Sequence, residues 1–324
     1  MPQGQARCPA AGPGRYRVRV NDLPEPPWID VDAVRVTRPE EGSGSSEHTA
    51  ARSSTHRKDV SLGRQLDAGA VPSSRSAAWM WMLYAALGFL GGQVLAAVTV
   101  GIGGLLAGQF DALSKLSKLS EPPTWFVIST LFGLWGGFLG AALLATRLKG
   151  TKHFRDDFRL RFRWIDLIGI PIGVAGQYFV ALVYVPIAPH IHNFHERFSA
   201  PAQRLTGSSH GIGYFVIGLA TVVGAPFFEE LFFRGIILRA RARIFGRLGG
   251  VGPVLAVVLS GLLFGLAHAE SLQLLGLAIF GIILGVVSYR TGRLGMNIVA
   301  HASFNLLALT AVAFPTLLGT SGWA

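Results

Sequence analysis

From Ala77 onward the chain is a succession of apolar runs, each long enough to cross about 30 Å of hydrocarbon at about 1.5 Å per residue. Backbone polar groups in lipid must be satisfied within the protein, so such runs are read as helices. About seven of them, by that length criterion, lie near 78–107, 124–146, 165–187, 211–237, 253–269, 272–289 and 294–315. The expected fold class is therefore all-α: a polytopic helical membrane bundle. Only 15% of residues are charged, against roughly 25% in a soluble domain.

The formal charge of +11 would suit a nucleic-acid partner, but its placement argues against one. Eleven of the 29 Lys and Arg precede residue 77, and most others sit between apolar runs, as a topology signal does. The lipid bilayer is the expected partner, and no nucleic acid is. Residues 1–76 are rich in Pro, Gly, Ser and charge, as in GSGSSEHTAARSSTHRK (42–58). Such a segment buries too little apolar area to offset its chain entropy, so it is read as a disordered cytoplasmic arm. With the first apolar run starting only at Ala77, no signal peptide is expected. The lone cysteine, Cys8, excludes an intrachain disulfide and a Cys-based metal site.

Loop charge orients the bundle. Residues 147–163 hold Arg147, Lys149, Lys152, Arg155, Arg159, Arg161 and Arg163; residues 238–252 hold Arg239, Arg241, Arg243 and Arg247; Arg290 and Arg293 follow the sixth run. The alternate connections carry only Lys115 and Lys118, then Arg197 and Arg204, then none. The positive-inside rule then predicts a multi-pass cell-membrane protein with a cytoplasmic N-terminus and an external C-terminus. Small-residue pairs at i, i+4 (Gly88/Gly92, Gly133/Gly137, Gly136/Gly140, Gly261/Gly265 and Gly281/Gly285) predict close helix packing within the bundle.

Ionisable residues inside membrane spans are costly, and three clusters require a reason. The fourth run, GAPFFEELFFRGIIL (224–238), places Glu229, Glu230 and Arg234 among phenylalanines, just after Pro226, which can loosen the helix. Glu230 and Arg234 share a helix face and can pair, whereas Glu229 points roughly 100° away. Two carboxylates and one Arg leave an excess negative charge in a low-dielectric site, the setting of a general base. The fifth run carries Phe264 and His268 on one face, and the seventh carries His301 and Asn305 on one face. Peptide hydrolysis needs an activated water, donors for an oxyanion and a proton for the leaving amine. Glu229 with His268 could deprotonate water, while His301 and Asn305 could donate to the oxyanion. The alternative assembly has Glu229, His268 and His301 ligating one divalent metal such as Zn²⁺, since His₂Glu plus water is a known catalytic set. Residue types and spacing leave both open.

These clusters resemble the signatures of the CPBP family, which groups type II CAAX prenyl endopeptidases with bacteriocin-processing and Abi proteins. Its EExxxR motif is similar to Glu229-Glu230-Leu231-Phe232-Phe233-Arg234, its FxxxH to Phe264–His268, and its HxxxN to His301–Asn305. The resemblance covers about residues 205–310. It implies an intramembrane endopeptidase, often called a metalloprotease, whose cavity opens to the cytoplasm and admits an extended C-terminal peptide. It assigns water activation to Glu229 and His268, oxyanion stabilisation to His301 and Asn305, and support to Glu230, Arg234 and Phe264. On this reading residues 77–204 are N-terminal transmembrane helices and 205–324 the catalytic core. The expected partner is a peptide or protein substrate at the membrane.

Two rivals accompany that reading: a non-catalytic immunity or scaffold protein that keeps the fold, and a proton-coupled transporter using the same residues as a relay. The transporter lacks an internal repeat of the polar clusters. One quantity fits poorly. Counted from Arg239 and Arg293, Glu229 and His301 lie about 15 and 12 Å deep, but His268 counted from Pro253 lies about 22 Å deep.

Overall fold

The computed structural model describes residues 72–116, 121–206, 209 and 211–313. The chain divides into Met1–Val60, all outside the described residues, and Ser61–Ala324, to which everything below refers. The expected arm, 1–76, lies outside the described residues up to position 71, as do Cys8 and Lys118. Among the described residues the secondary structure is helical, with no strand.

Helix α1 (Arg75–Leu106) starts at Ser74, whose hydroxyl accepts from the Ala77 N–H at 3.1 Å and so satisfies a donor the first turn leaves free. One face repeats Leu83, Leu87, Leu90, Val94, Val98, Ile102 and Leu105, all exposed. Helical spacing gathers these into a single apolar stripe, which a bilayer can cover. The opposite face is small and packs on α2 (Thr124–Lys149). A Cβ at Gly137 would run into the Gly88 carbonyl, and one at Gly133 into the Ala96 backbone. The predicted Gly88/Gly92 and Gly133/Gly137 pairs thus set this contact, whereas Gly140 has open space in front of it.

A 3₁₀ turn, Trp164–Ile168, leads into α3 (Gly169–Tyr184). Buried Asp166 holds this entry, accepting from Arg163 N at 2.7 Å and pairing with Arg293 at 2.8 Å. Gly169 and Gly173 let α3 approach the last helix closely. Sequence reading missed the next element, α4 (Phe194–Thr206), a 13-residue amphipathic helix with Pro201 inside. The Phe194 and Phe198 rings pack on Tyr184, with centroids 5.7 and 4.9 Å away.

The longest element, α5 (Ile212–Leu248), runs 37 residues, eleven beyond the end expected at 237. Its first π-helical stretch, Ala220–Gly224, ends just before Pro226, and its second spans Glu230–Leu238. Proline has no N–H to give and its ring crowds the preceding turn, so the helix widens there. The segment read as a basic loop is therefore helix. Arg239 is not a loop residue: its guanidinium donates to the Asp157, Phe158 and Gly292 carbonyls.

A glycine turn, with Gly249 at φ 58°, reverses the chain into α6 (Val251–Ala267). Then come α7 (Leu274–Thr291) and α8 (Gly295–Ala313). Gly261 and Gly281 pack α6 on α7, a Cβ on Gly281 falling 2.8 Å from the Gly261 Cα. All seven predicted runs fall on helices. Among the described residues five helices, α1, α2, the 164–184 segment, α5 and α7, are long and apolar enough to cross a membrane, while α6 has 17 residues and is shorter. The chain folds as a multi-pass helical membrane bundle.

Candidate active site

Three helices converge on one cavity. The second π stretch of α5 presents Glu230 and Arg234, and the α-helical turn before it presents Glu229. His268 lies at the C-terminal end of α6, and α8 presents Asn297, His301 and Asn305 at four-residue spacing. Glu229, His268, His301 and Asn305 all line a cavity of about 550 Å³, and the structure thus brings together every candidate catalytic residue.

The two glutamates separate as their directions on the helix predict. Glu230 and Arg234 are fully buried, with Oε1 2.7 Å from the guanidinium. Arg234 also donates to the Gly281 carbonyl at 3.0 Å and lies over the Phe264 ring, 4.6 Å from its centroid. Glu230 further accepts from His301 Nδ1 at 2.9 Å and from Asn297 Nδ2 at 3.2 Å. Such a pair is tolerated in a low-dielectric interior because most of its remaining groups are hydrogen-bonded, Arg234 Nε being the one left without a partner. Glu229, in contrast, has a side chain 17% exposed, and its Oε2 is buried without a hydrogen-bond partner.

Both histidines turn Nε2 toward that oxygen: His268 at 3.9 Å and His301 at 3.8 Å. These separations are too long for direct hydrogen bonds and suit a shared water. The tautomers follow from the partners of Nδ1. His268 Nδ1 faces the Phe264 carbonyl at 2.8 Å, and His301 Nδ1 faces the Glu230 carboxylate. Each partner only accepts, so each Nδ1 carries a proton and each ring turns its Nε2 to the cavity. Phe264 walls both rings, edge-on, at 4.8 and 5.5 Å. Geometry does not separate His268 from His301 in their approach to Glu229.

Asn305 holds a second position. Its Nδ2 donates to the Thr221 carbonyl at 2.9 Å, inside the first π stretch. Ser260 donates to the Phe233 carbonyl at 3.3 Å, inside the second. A π turn shifts the hydrogen-bond ladder, and neighbouring side chains supply partners for the backbone groups it disturbs. One N–H of Asn305 is thus structural, and the other remains for the cavity. Asn297, missed in the sequence, is fully buried and ties Glu230 to the Leu284 carbonyl (2.6 Å). Its signal was there: it stands one helical turn before His301 on the same face.

The depth mismatch resolves with the true helix ends. Measured from the Gly249–Gly250 turn, Glu229 lies nineteen residues before Leu248 and His268 seventeen after Val251. The wide π turns take more residues per turn, so both groups stand at one level. Arg239 is not the helix end, so a depth counted from it understates that of Glu229.

Among the described residues no group of three or more His, Cys, Asp or Glu side chains is placed to hold a metal ion. The chemistry below uses water and protein groups.

No curated protein matches the chain, nor does any solved structure. A family model does: residues 211–307 match that of the Rce1-like type II CAAX prenyl endopeptidases, in agreement with the CPBP family that the three motifs resemble.

Proposed function

We propose that this chain is an intramembrane endopeptidase that hydrolyses membrane-associated peptides with a water activated by Glu229. The observation that carries the reading is the convergence of Glu229 Oε2, which has no hydrogen-bond partner, and two imidazole Nε2 atoms in one cavity. The matched family, one of membrane endopeptidases, supports the same reaction class.

A water between these atoms gives a proton to Glu229 while its oxygen attacks the peptide carbonyl carbon. The carbonyl oxygen becomes an oxyanion, and the second Asn305 N–H is one donor to it. His301, with Nδ1 held by Glu230, orients the attacking water through its Nε2. Glu229 then returns its proton to the leaving nitrogen as the C–N bond breaks. The product acid takes the water oxygen, and Glu229 ends as a carboxylate. Cavity walls such as Trp135, Phe138 and Phe280 favour bulky apolar side chains beside the scissile bond. No prenyl-binding feature is needed for this reading.

The test is reconstitution of purified protein with a peptide library, comparing wild type with Glu229→Ala and His268→Ala. Cleavage by wild type alone is expected. Equal residual cleavage by all three would sink the enzyme and favour a scaffold that keeps the fold.

A further inference from the structure

The cavity has a direction that follows from where its walls lie along each helix. Helices connected in series alternate in sense, so one end of the bundle gathers the ends of α1, α3 and α6 with the starts of α2, α5 and α7. Cavity-lining residues come from the middle of α1 (Phe89, Gln93), from α2 between Phe126 and Phe138, the late part of α3 (Gln177, Val180), the last residues of α6 and the first turns of α7. From α8 they come at His301 and beyond. Pro122, Arg204 and Glu270, in the connections at that end, line it too. None of the lining residues belongs to 147–163, 239–252 or 290–297.

Charge divides along the same axis. The segments that contribute nothing to the cavity hold the basic residues named above, against Asp156, Asp157 and Asp166. At the cavity end, among the described residues, Lys115, Arg197 and Arg204 are offset by Asp111, Glu121, Glu196 and Glu270. Basic segments stay on the cytoplasmic side of a membrane. A mouth at the charge-balanced end and a basic belt at the other cannot both face the cytoplasm.

We infer that the catalytic cavity opens away from the cytoplasm, contrary to what the family resemblance implies, and that its substrates are exported or membrane-inserted peptides presented at the outer face. The substrate half of this rests on the endopeptidase reading; the direction of the mouth does not. Cytoplasmic C-terminal tails are then out of reach. Helix α4 lies beside the opening, with Arg204 paired to Glu270 at 3.3 Å and Phe198 O accepting from Gln273 at 2.6 Å.

The full chain, with Cys8→Ser as background, carries one new cysteine at either of two exposed positions: Gln203→Cys on α4 or His153→Cys in the basic segment. Neither is in the catalytic machinery. A membrane-impermeant maleimide should label Gln203→Cys in intact cells and His153→Cys only after permeabilisation. Labelling of His153→Cys in intact cells, alone or together with Gln203→Cys, overturns the inference. A pair of single-span reporters places the same apolar juxtamembrane peptide outside or inside. Loss of the outer reporter with wild type but not with Glu229→Ala supports the substrate class, and cleavage confined to the inner reporter refutes it. Cleavage in detergent is scored separately; its absence overturns the endopeptidase reading alone, because labelling needs no turnover.

Discussion

His301 Nδ1 donates to Glu230 Oε1 at 2.9 Å, so the residue adjacent in chain to Glu229 orients the imidazole that Glu229 faces. Position and chemistry are divided between neighbouring carboxylates: one is saturated with partners, the other kept free.

Glu230→Gln keeps the shape and removes the charge. It should slow turnover by about 10- to 100-fold, as loss of an orienting partner does. It should also lower the melting temperature in detergent, because an uncompensated buried charge costs about 3–5 kcal/mol. The double variant Glu230→Gln/Arg234→Met should recover the melting temperature and not the turnover.

Glu229→Gln should behave in the opposite way. Removing the general base lowers the rate by about 10²–10⁴-fold. Since its Oε2 makes no hydrogen bond in the fold, the melting temperature should stay equal or rise. A marked loss of stability would place Glu229 in the scaffold instead.

Gly137→Ala and Gly140→Ala differ only in what a methyl group meets. At Gly137 it strikes the Gly88 carbonyl, and at Gly140 it meets nothing within 4 Å. Overpacking costs about 1–3 kcal/mol, so the first variant should melt lower and the second should match wild type.

Chelator dialysis should leave peptide cleavage unchanged, with no stoichiometric metal by elemental analysis, because the proposed activation of water by Glu229 uses no metal. Loss of activity that Zn²⁺ alone restores would reverse this.

The motif residues were legible because ionisable side chains inside apolar runs stand out, and because spacing of four places Glu230 with Arg234 and His301 with Asn305 on shared faces. The extent of α5 was not, since Arg239 reads as a loop residue until its carbonyl partners are known. Helix α4 was hidden by its polar composition and by Pro201, which argue locally against a helix and are overridden by the packing of Phe194 and Phe198 on Tyr184. The π stretches had only Pro226 as a sign. Asn305 pointed to the cavity correctly, but its bond to Thr221 depends on a distortion that no local pattern announces.

The shared turn at Gly249–Gly250 makes α5 and α6 the two arms of a caliper, with Glu229 and His268 as its tips. Deleting one residue within either arm would draw back a single tip by about 1.5 Å and swing it by about 100°, opening the gap between them. Lengthening the turn itself would move neither tip along its packed arm. The spacing of the proposed catalytic pair is thus stored as arm length, far from the two residues themselves.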